Sequence, residues 1–155
     1  MKCDIEGVII RELKRYDDER GWLTELFRQD ELDPEFHPVM SYVSMTKPGV
    51  ARGPHEHIRQ SDCFCFIGPS IFRLYLWDNR ADSPSHGVKA TFDFDESTPV
   101  LVIVPPGVVH AYSNIGEKDG IIYNAPNRLY AGGGRREEVD EIRHENDPGS
   151  PYALD

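Results

Sequence analysis

Short apolar runs, each bounded by Gly, Pro, Asp or Asn, recur along the whole chain and constrain its fold more than any other feature. Runs of this length with turn residues between them are typical of the strands of a β-sandwich or β-barrel. Only residues 29–33 and 135–142 offer a short helix. The apolar runs lie at residues 8–10, 23–27, 39–44, 63–67, 71–77, 88–92, 100–104 and 121–123. This pattern predicts an all-β fold.

The size of the chain predicts a single domain over residues 1–155. Of these residues 39% are hydrophobic and 10% are aromatic, which suffices for one ordinary core. The three glycines at 132–134 end the strand pattern, and a charged segment follows them. We therefore expect residues 132–155 to form an irregular tail that either wraps the barrel or frays.

The charge of the chain argues against two classes of partner. Its formal net charge is −10, so no basic surface is expected to hold nucleic acid or an anionic membrane. No apolar run approaches a membrane span, and residues 1–6 lack the apolar centre of a signal peptide, which predicts a cytoplasmic location. Cys63 and Cys65 lie two apart in a strand-like run, which favours reduced packing residues over a disulfide framework.

Three histidines fall on segments that are expected to be strands. His55 and His57 are two residues apart, so a strand would point both to the same side. His110 arrives from a later strand. Three imidazoles that meet in this way suit either a metal site or a proton-transfer site.

The segments around these histidines resemble the two motifs of the cupin superfamily. Residues 105–114 read PPGVVHAYSN and are similar to the second motif, PxGxxHxxxN. The first motif ends in HxH and a later acidic residue, at the places of His55, His57 and Asp62. The resemblance implies a double-stranded β-helix jelly roll. It also implies that His55, His57, Asp62 and His110 could bind Mn, Fe, Ni or Zn, an alternative to the metal-free site that we expect.

The wider sequence resembles the dTDP-4-dehydrorhamnose 3,5-epimerase family. Residues 18–27, DERGWLTELF, are similar to its DxRGxFxExF motif, and residues 52–55, RGPH, to its RGLH. Residues 83–87, SPSHG, are similar to SPTFG, and residues 106–112, PGVVHAY, to PEGFAHGF. An Asp-Pro pair follows at 147–148. These blocks occur in the family's order over nearly the whole chain.

This second resemblance implies epimerisation of a nucleotide-linked 4-keto-6-deoxy sugar at C3, C5 or both, without a cofactor. A hydrogen beside a ketone can be removed when a base lies within reach and the enolate is stabilised. His55 would be the base, and Asp147 would orient it. Tyr123, thirteen residues after His110, would return a proton to the opposite face of the sugar.

The family also implies a set of residues that hold the nucleotide-diphosphate sugar. Arginine can bind a phosphate with two hydrogen bonds, and an indole can stack on a base. The N-terminal strands within residues 1–30 are expected to be shared with a partner subunit in a homodimer. The implied binding residues are Arg20, Trp22, Glu25, Arg52, His57 and His110.

Several departures from the family keep alternatives open. The HxH pattern at His55 and His57 is similar to dTDP-sugar 3,4-ketoisomerases, which move the ketone instead. A lysine that stabilises the enolate in the family is replaced by Ser61 or Asp62, and Tyr42 stands where the family carries Asn. A protonated His57 could supply the missing cation. A binding module without catalytic activity is a further alternative.

Overall fold

The computed structural model describes residues 1–155 and confirms the all-β prediction. The strands are β1 (Ile9–Glu12), β2 (Arg15–Asp18), β3 (Gly21–Thr24), β4 (Tyr42–Thr46), β5 (Ala51–Glu56), β6 (Asp62–Phe66), β7 (Phe72–Asp78), β8 (Lys89–Phe94), β9 (Val100–Val104), β10 (Val108–Asn114), β11 (Gly120–Asn124) and β12 (Ile142–Arg143). Short 3₁₀ turns occur at Gln29–Glu31, Pro34–Phe36, Gly133–Arg135 and His144–Asn146. The helix expected over 135–142 is therefore wrong, since most of that segment is irregular. The structure contains no helix whose length and hydrophobicity would allow it to span a membrane.

Two five-stranded antiparallel sheets face each other and form the jelly roll. The first sheet has the order β1-β9-β6-β11-β4, and the second has the order β12-β5-β10-β7-β8. Strands β2 and β3 form a separate hairpin whose residues are almost all exposed. The sheet order confirms the predicted double-stranded β-helix, because strands that are distant in sequence become neighbours in both sheets.

Side-chain alternation divides the apolar residues between the barrel interior and its outer surface. In β6, Phe64 and Phe66 join the interior core, whereas Cys63 and Cys65 face outward. Both cysteines are buried, which agrees with the packing role that the sequence predicts. The aromatic rings fill the closed part of the barrel, so a ligand can enter only where this packing ends.

The C-terminal tail wraps the barrel. It packs on the outer face of the second sheet, where Tyr75, Trp77 and Val109 are buried. The ring of Tyr152 lies 5.6 Å from that of Trp77, and Leu154 packs on the same cluster. The tail thereby replaces water on an otherwise exposed apolar face.

A β-bulge in the second sheet brings two of the predicted site histidines together. His55 of β5 lies opposite His110 of β10, but two residues further along β10 the partner of Tyr112 is Arg52. Gly53 lies within this irregularity, with a φ of 82°. The bulge therefore sets the direction from which His55 enters the barrel.

A buried carboxylate at the end of β7 fixes the opposite end of the second sheet. Asp78 is 2% exposed and accepts hydrogen bonds from Arg80 Nε (2.8 Å), Ser83 Oγ (2.5 Å) and Ser85 Oγ (2.6 Å). Burial alone would raise its pKa, but these donors hold the pKa of Asp78 well below its usual value.

We expect Asp78→Asn to lower the free energy of unfolding at pH 7 by about 2–3 kcal/mol, because the buried donors lose a charged acceptor. A lowered pKa stabilises the fold above the unfolded-state pKa, about 3.9, and this contribution is lost as the pH falls further. Urea denaturation between pH 3 and 7 measures both effects. Asp93→Asn removes an exposed ion pair with Arg73 and should cost less than about 1 kcal/mol. A deficit in Asp78→Asn that does not shrink toward pH 3 would contradict this account.

Candidate active site

A cavity of about 850 Å³ opens at one end of the barrel. One wall comes from β5, which contributes Arg52 and His55, and the facing wall comes from β4, which contributes Tyr42 and Ser44. The segment over residues 126–145 covers a third side. A cavity of this size accommodates a ligand larger than a single sugar ring.

The predicted histidines meet at the cavity. Both His55 and His57 line it, so the same-face prediction is correct, and their ring centroids are 5.7 Å apart. The ring of His110 lies beneath, 4.4 Å from that of His55. One ligand atom from each of these histidines and one from Asp62 all lie within 4.8 Å of one another.

Asp62 links the cluster to the first sheet. Its Oδ2 lies 3.1 Å from His57 Nε2 and 3.1 Å from His110 Nε2. Its Oδ1 accepts hydrogen bonds from Gln60 Nε2 (3.0 Å) and Asn124 Nδ2 (2.9 Å). Burial alone would raise the pKa of Asp62, yet the two histidines hold it far below its usual value, so the residue is a carboxylate.

His55 and His57 differ in charge at neutral pH. Burial and the proximity of His110 lower the pKa of His55 to about 2, so His55 is neutral and one ring nitrogen has a free lone pair. Burial would also lower the pKa of His57, but the hydrogen bond to Asp62 outweighs it and raises this pKa to about 9. His57 Nδ1 additionally donates to the carbonyl of Asp140. The cavity therefore places a neutral imidazole beside an imidazolium.

One nitrogen in the cluster has no hydrogen-bond partner. His110 Nδ1 lies 3.0 Å from the Val108 carbonyl, which can only accept, so this nitrogen carries the proton. The other nitrogen, Nε2, is buried and unpartnered, since its short contact with Asp62 lacks hydrogen-bond geometry. A cation between this nitrogen and the carboxylate oxygen would be bound by both atoms. The four residues therefore fit a divalent metal.

The structure does not bring Asp147 to His55, so that prediction is wrong. The Asp147 side chain is exposed and accepts a hydrogen bond from the Gly149 backbone instead. The carboxylate near His55 belongs to Glu141, whose Oε1 lies 4.0 Å from His55 Nε2. The physical reason is the pairing of β12 with β5, which places Arg143 opposite His55 and leaves Asp147 beyond the next turn.

The placement predicted for Tyr123 is also wrong. Tyr123 packs on the outer apolar cluster with Cys63 and Cys65 and does not line the cavity. Its neighbour Asn124 faces inward and bonds to Asp62. Because adjacent residues of a strand point to opposite faces, Tyr123 must point away from the site.

The N-terminal residues that the family implies for nucleotide binding lie away from the cavity of their own chain. Arg20 forms an exposed ion pair with Asp18, and Glu25 lies 3.6 Å from Arg28. Trp22 is 46% exposed on the β2–β3 hairpin. Arg52, in contrast, lines the cavity, and its guanidinium donates to Thr46 Oγ1 (3.0 Å) and to the Met45 carbonyl (2.9 Å).

Sequence reasoning missed three residues of the site. Tyr42 lines the cavity, and Glu141 approaches His55. The Asp140 carboxylate accepts hydrogen bonds from the backbone of residues 58–60, at 2.8, 2.9 and 2.9 Å. Alternation along residues 42–46 could have revealed Tyr42, whereas nothing in the acidic run 137–141 indicates which member reaches the site.

The fold and the site together define a cupin-type barrel with a cluster of three histidines at its cavity. The model of the dTDP-4-dehydrorhamnose 3,5-epimerase family matches residues 2–142. The chain therefore belongs to this family, and it is an enzyme of the sugar-nucleotide epimerase class.

Two relatives and one solved structure are similar to this chain. A probable low-salt glycan biosynthesis epimerase of Haloferax volcanii is 38% identical over 129 residues, which cover 82% of this chain and 81% of that protein. A spore coat polysaccharide biosynthesis protein of Bacillus subtilis is 34% identical over 73% of this chain and 74% of its own length. The crystal structure of a dTDP sugar isomerase from Desulfovibrio desulfuricans has a TM-score of 0.82 at 20% identity, covers 96% of this chain and 91% of its own, and shows the same fold.

We expect Gly53→Ala to lower the free energy of unfolding by more than about 2 kcal/mol. The left-handed backbone costs a side chain about 1–2 kcal/mol, and a Cβ would lie 2.6 Å from the His110 carbonyl oxygen. Gly49→Ala is the matched control, because Gly49 has a φ of 72° with no atom within 4 Å of its Cβ position. Chemical denaturation of both variants separates the backbone strain, which both share, from the steric clash at Gly53. Equal losses of unfolding free energy in the two variants would refute the clash.

Proposed function

We propose that this enzyme inverts a carbon beside the ketone of a nucleotide-linked 4-keto-6-deoxy sugar, at C3, C5 or both. The observation that carries the proposal is the neutral imidazole of His55 at the cavity surface, in a chain that belongs to this epimerase family. An unprotonated imidazole can accept the hydrogen that a neighbouring ketone makes acidic.

The charges around His55 suit each stage of that reaction. His55 would take a proton from carbon and leave an enolate, whose negative charge resides largely on the former ketone oxygen. The imidazolium of His57 supplies a nearby positive charge, which suits the stabilisation of that oxygen. Glu141, 4.0 Å from His55 Nε2, would stabilise the imidazolium that His55 becomes.

The cavity surface also suits a diphosphate. Four arginines line it, and a guanidinium binds phosphate oxygens in pairs. One of them, Arg52, is held in place by two hydrogen bonds, so it loses little freedom when a ligand binds. The cationic residues are Arg52, Arg59, Arg128 and Arg143.

The biological role follows from the named relatives. The Haloferax protein is named for glycan biosynthesis and the Bacillus protein for spore coat polysaccharide. We propose that this enzyme likewise supplies a sugar for a glycan or surface polysaccharide. A cytoplasmic location fits the three free cysteines. A homodimer fits the exposed β2–β3 hairpin, with Trp22 and Leu23 on its surface.

We expect the enzyme to incorporate solvent deuterium into dTDP-4-keto-6-deoxyglucose and to form an inverted product, both observed by NMR. His55→Asn should reduce exchange and inversion by about 10²–10⁴-fold, because the base is removed. His37→Asn is the matched control, since His37 bonds to Gln29 and the Leu32 carbonyl outside the cavity.

Other results would change the assignment. A ketone that moves to C3 would identify a 3,4-ketoisomerase, because epimerisation leaves the ketone at C4. Nucleotide binding without exchange would indicate a binding module. Normal exchange in His55→Asn would refute His55 as the base.

A metal-dependent isomerase or oxygenase is the second candidate function. It is favoured by the unpartnered His110 Nε2, which faces a carboxylate inside the cluster. His55, His57, Asp62 and His110 would hold the ion after the proton on His57 Nε2 is displaced. A bound divalent ion would polarise a substrate carbonyl as a Lewis acid.

Metal analysis decides between the two candidates. For the metal-free epimerase, we expect less than one-tenth of an equivalent of Mn, Fe, Ni or Zn after purification without added metal. EDTA should then leave both the activity and the melting temperature unchanged. A stoichiometric ion that is lost in His110→Ala but retained in His37→Ala would establish the metal-dependent function instead.

A further inference from the structure

We infer that Tyr42 is the proton donor on the side of the cavity that faces His55, an inference that rests on the proposed epimerisation. Inversion needs a second group, because a proton returned by His55 would restore the original configuration. Tyr42 lies on β4 of the first sheet and His55 on β5 of the second, and both line the cavity. A pyranose held between the sheets would therefore present one face to each residue.

Strand pairing fixes the position of the Tyr42 hydroxyl. Tyr42 lies opposite Asn124 in the pairing of β4 with β11, so the two side chains share a face. Asn124 is 1% exposed, and its Oδ1 accepts the Cys63 backbone N–H at 3.0 Å. That contact determines the orientation of the amide, since a backbone N–H can only donate. The amide NH₂ therefore faces Asp62 and Tyr42, and Nδ2 donates to the Tyr42 hydroxyl at 2.8 Å.

The phenolic proton of Tyr42 has no acceptor within the chain. The hydroxyl accepts from Asn124, and this is the only hydrogen bond that it makes with the protein. Its own O–H is therefore free to point into the cavity, where a ligand atom would receive it. A hydroxyl that is held by one accepted bond and free to donate has the arrangement that a general acid requires.

The surroundings keep the phenol protonated. Partial burial, with the negative charge of Asp62 as the next cause, raises the pKa of Tyr42 above its usual value. The hydroxyl therefore carries its proton at neutral pH and can donate it to a ligand.

The other cavity tyrosines are less suitable as donors. Tyr112 is 4% exposed in the barrel core, and its hydroxyl lies 2.9 Å from Ser44 Oγ. Tyr130 is 53% exposed and belongs to the covering segment, outside the strands. Tyr42 alone among these three couples a free O–H with a fixed position beside the histidine cluster.

The proposed step balances without any further reactant. His55 removes the proton from the carbon beside the ketone, and the electron pair of the C–H bond forms the enolate. The enolate carbon then takes the proton of Tyr42 on the opposite face, and the ketone forms again. This leaves His55 protonated and Tyr42 as a phenolate, and proton exchange with water in the open cavity restores both.

The test compares Tyr42→Phe with Tyr123→Phe on dTDP-4-keto-6-deoxyglucose in D₂O, with inversion and deuterium exchange followed separately by NMR. We expect Tyr42→Phe to slow inversion by about 10²–10⁴-fold. It should still exchange deuterium into recovered, uninverted substrate, because His55 can remove and return a proton on one face. A purely structural role would reduce both rates together. Tyr123→Phe alters a tyrosine of the outer face and should behave as the wild type.

Each outcome bears on a separate claim. Wild-type inversion by Tyr42→Phe, or equal loss of exchange and inversion in a variant with normal melting temperature and dTDP binding, would overturn Tyr42 as the donor. Selective loss of inversion in Tyr123→Phe would do the same. A wild-type enzyme without exchange or inversion would instead overturn the proposed function, and this inference with it. Because Tyr42 is 46% exposed, removal of its hydroxyl should leave the fold intact.

Discussion

The buried carboxylate of Asp62 is the interaction on which the site depends. A charge that is 2% exposed is costly unless polar groups surround it, and here those groups come from different parts of the fold. His110 belongs to β10, Asn124 to β11 and His57 to the segment after β5. One carboxylate of the first sheet thus lies beside a histidine of the second sheet, at the end where the apolar packing stops.

The same carboxylate divides the protonation states of the cavity. Asp62 stabilises the charged form of His57, whereas burial and the neighbouring His110 lower the pKa of His55. The covering segment strengthens this division, because the backbone carbonyl of Asp140 accepts from His57 and the Asp140 side chain binds the turn at residues 58–60. A neutral His55 and a protonated His57 can therefore lie side by side in the cavity.

The sequence could predict what depends on periodicity and local turns, but not what depends on register. Alternation placed His55 and His57 on one face, and the turn residues predicted the short strands of a jelly roll. Spacing alone could not assign Tyr123 to a face, because a shift of one residue along a strand reverses every side chain. The prediction that Asp147 orients His55 was wrong for a related reason, since the pairing of β12 with β5 brings Glu141 to His55. No local pattern encodes that pairing.

At this level of the barrel, the inward-facing residue of β11 is Asn124, and Tyr42 lies opposite it on β4. In the family, by resemblance, Asn stands at the place of Tyr42 and a tyrosine lies on the later strand. An exchange of the two residue types between paired strands would keep one hydroxyl and one amide at the same level of the cavity. The hydroxyl of Tyr42 would then approach the sugar from the edge strand β4 rather than from the inner strand β11. Because β4 pairs with β11 alone, its position is less constrained than that of a central strand. The direction of protonation would accordingly depend on the amide of Asn124, which ties this edge strand to Asp62 through a pair of hydrogen bonds.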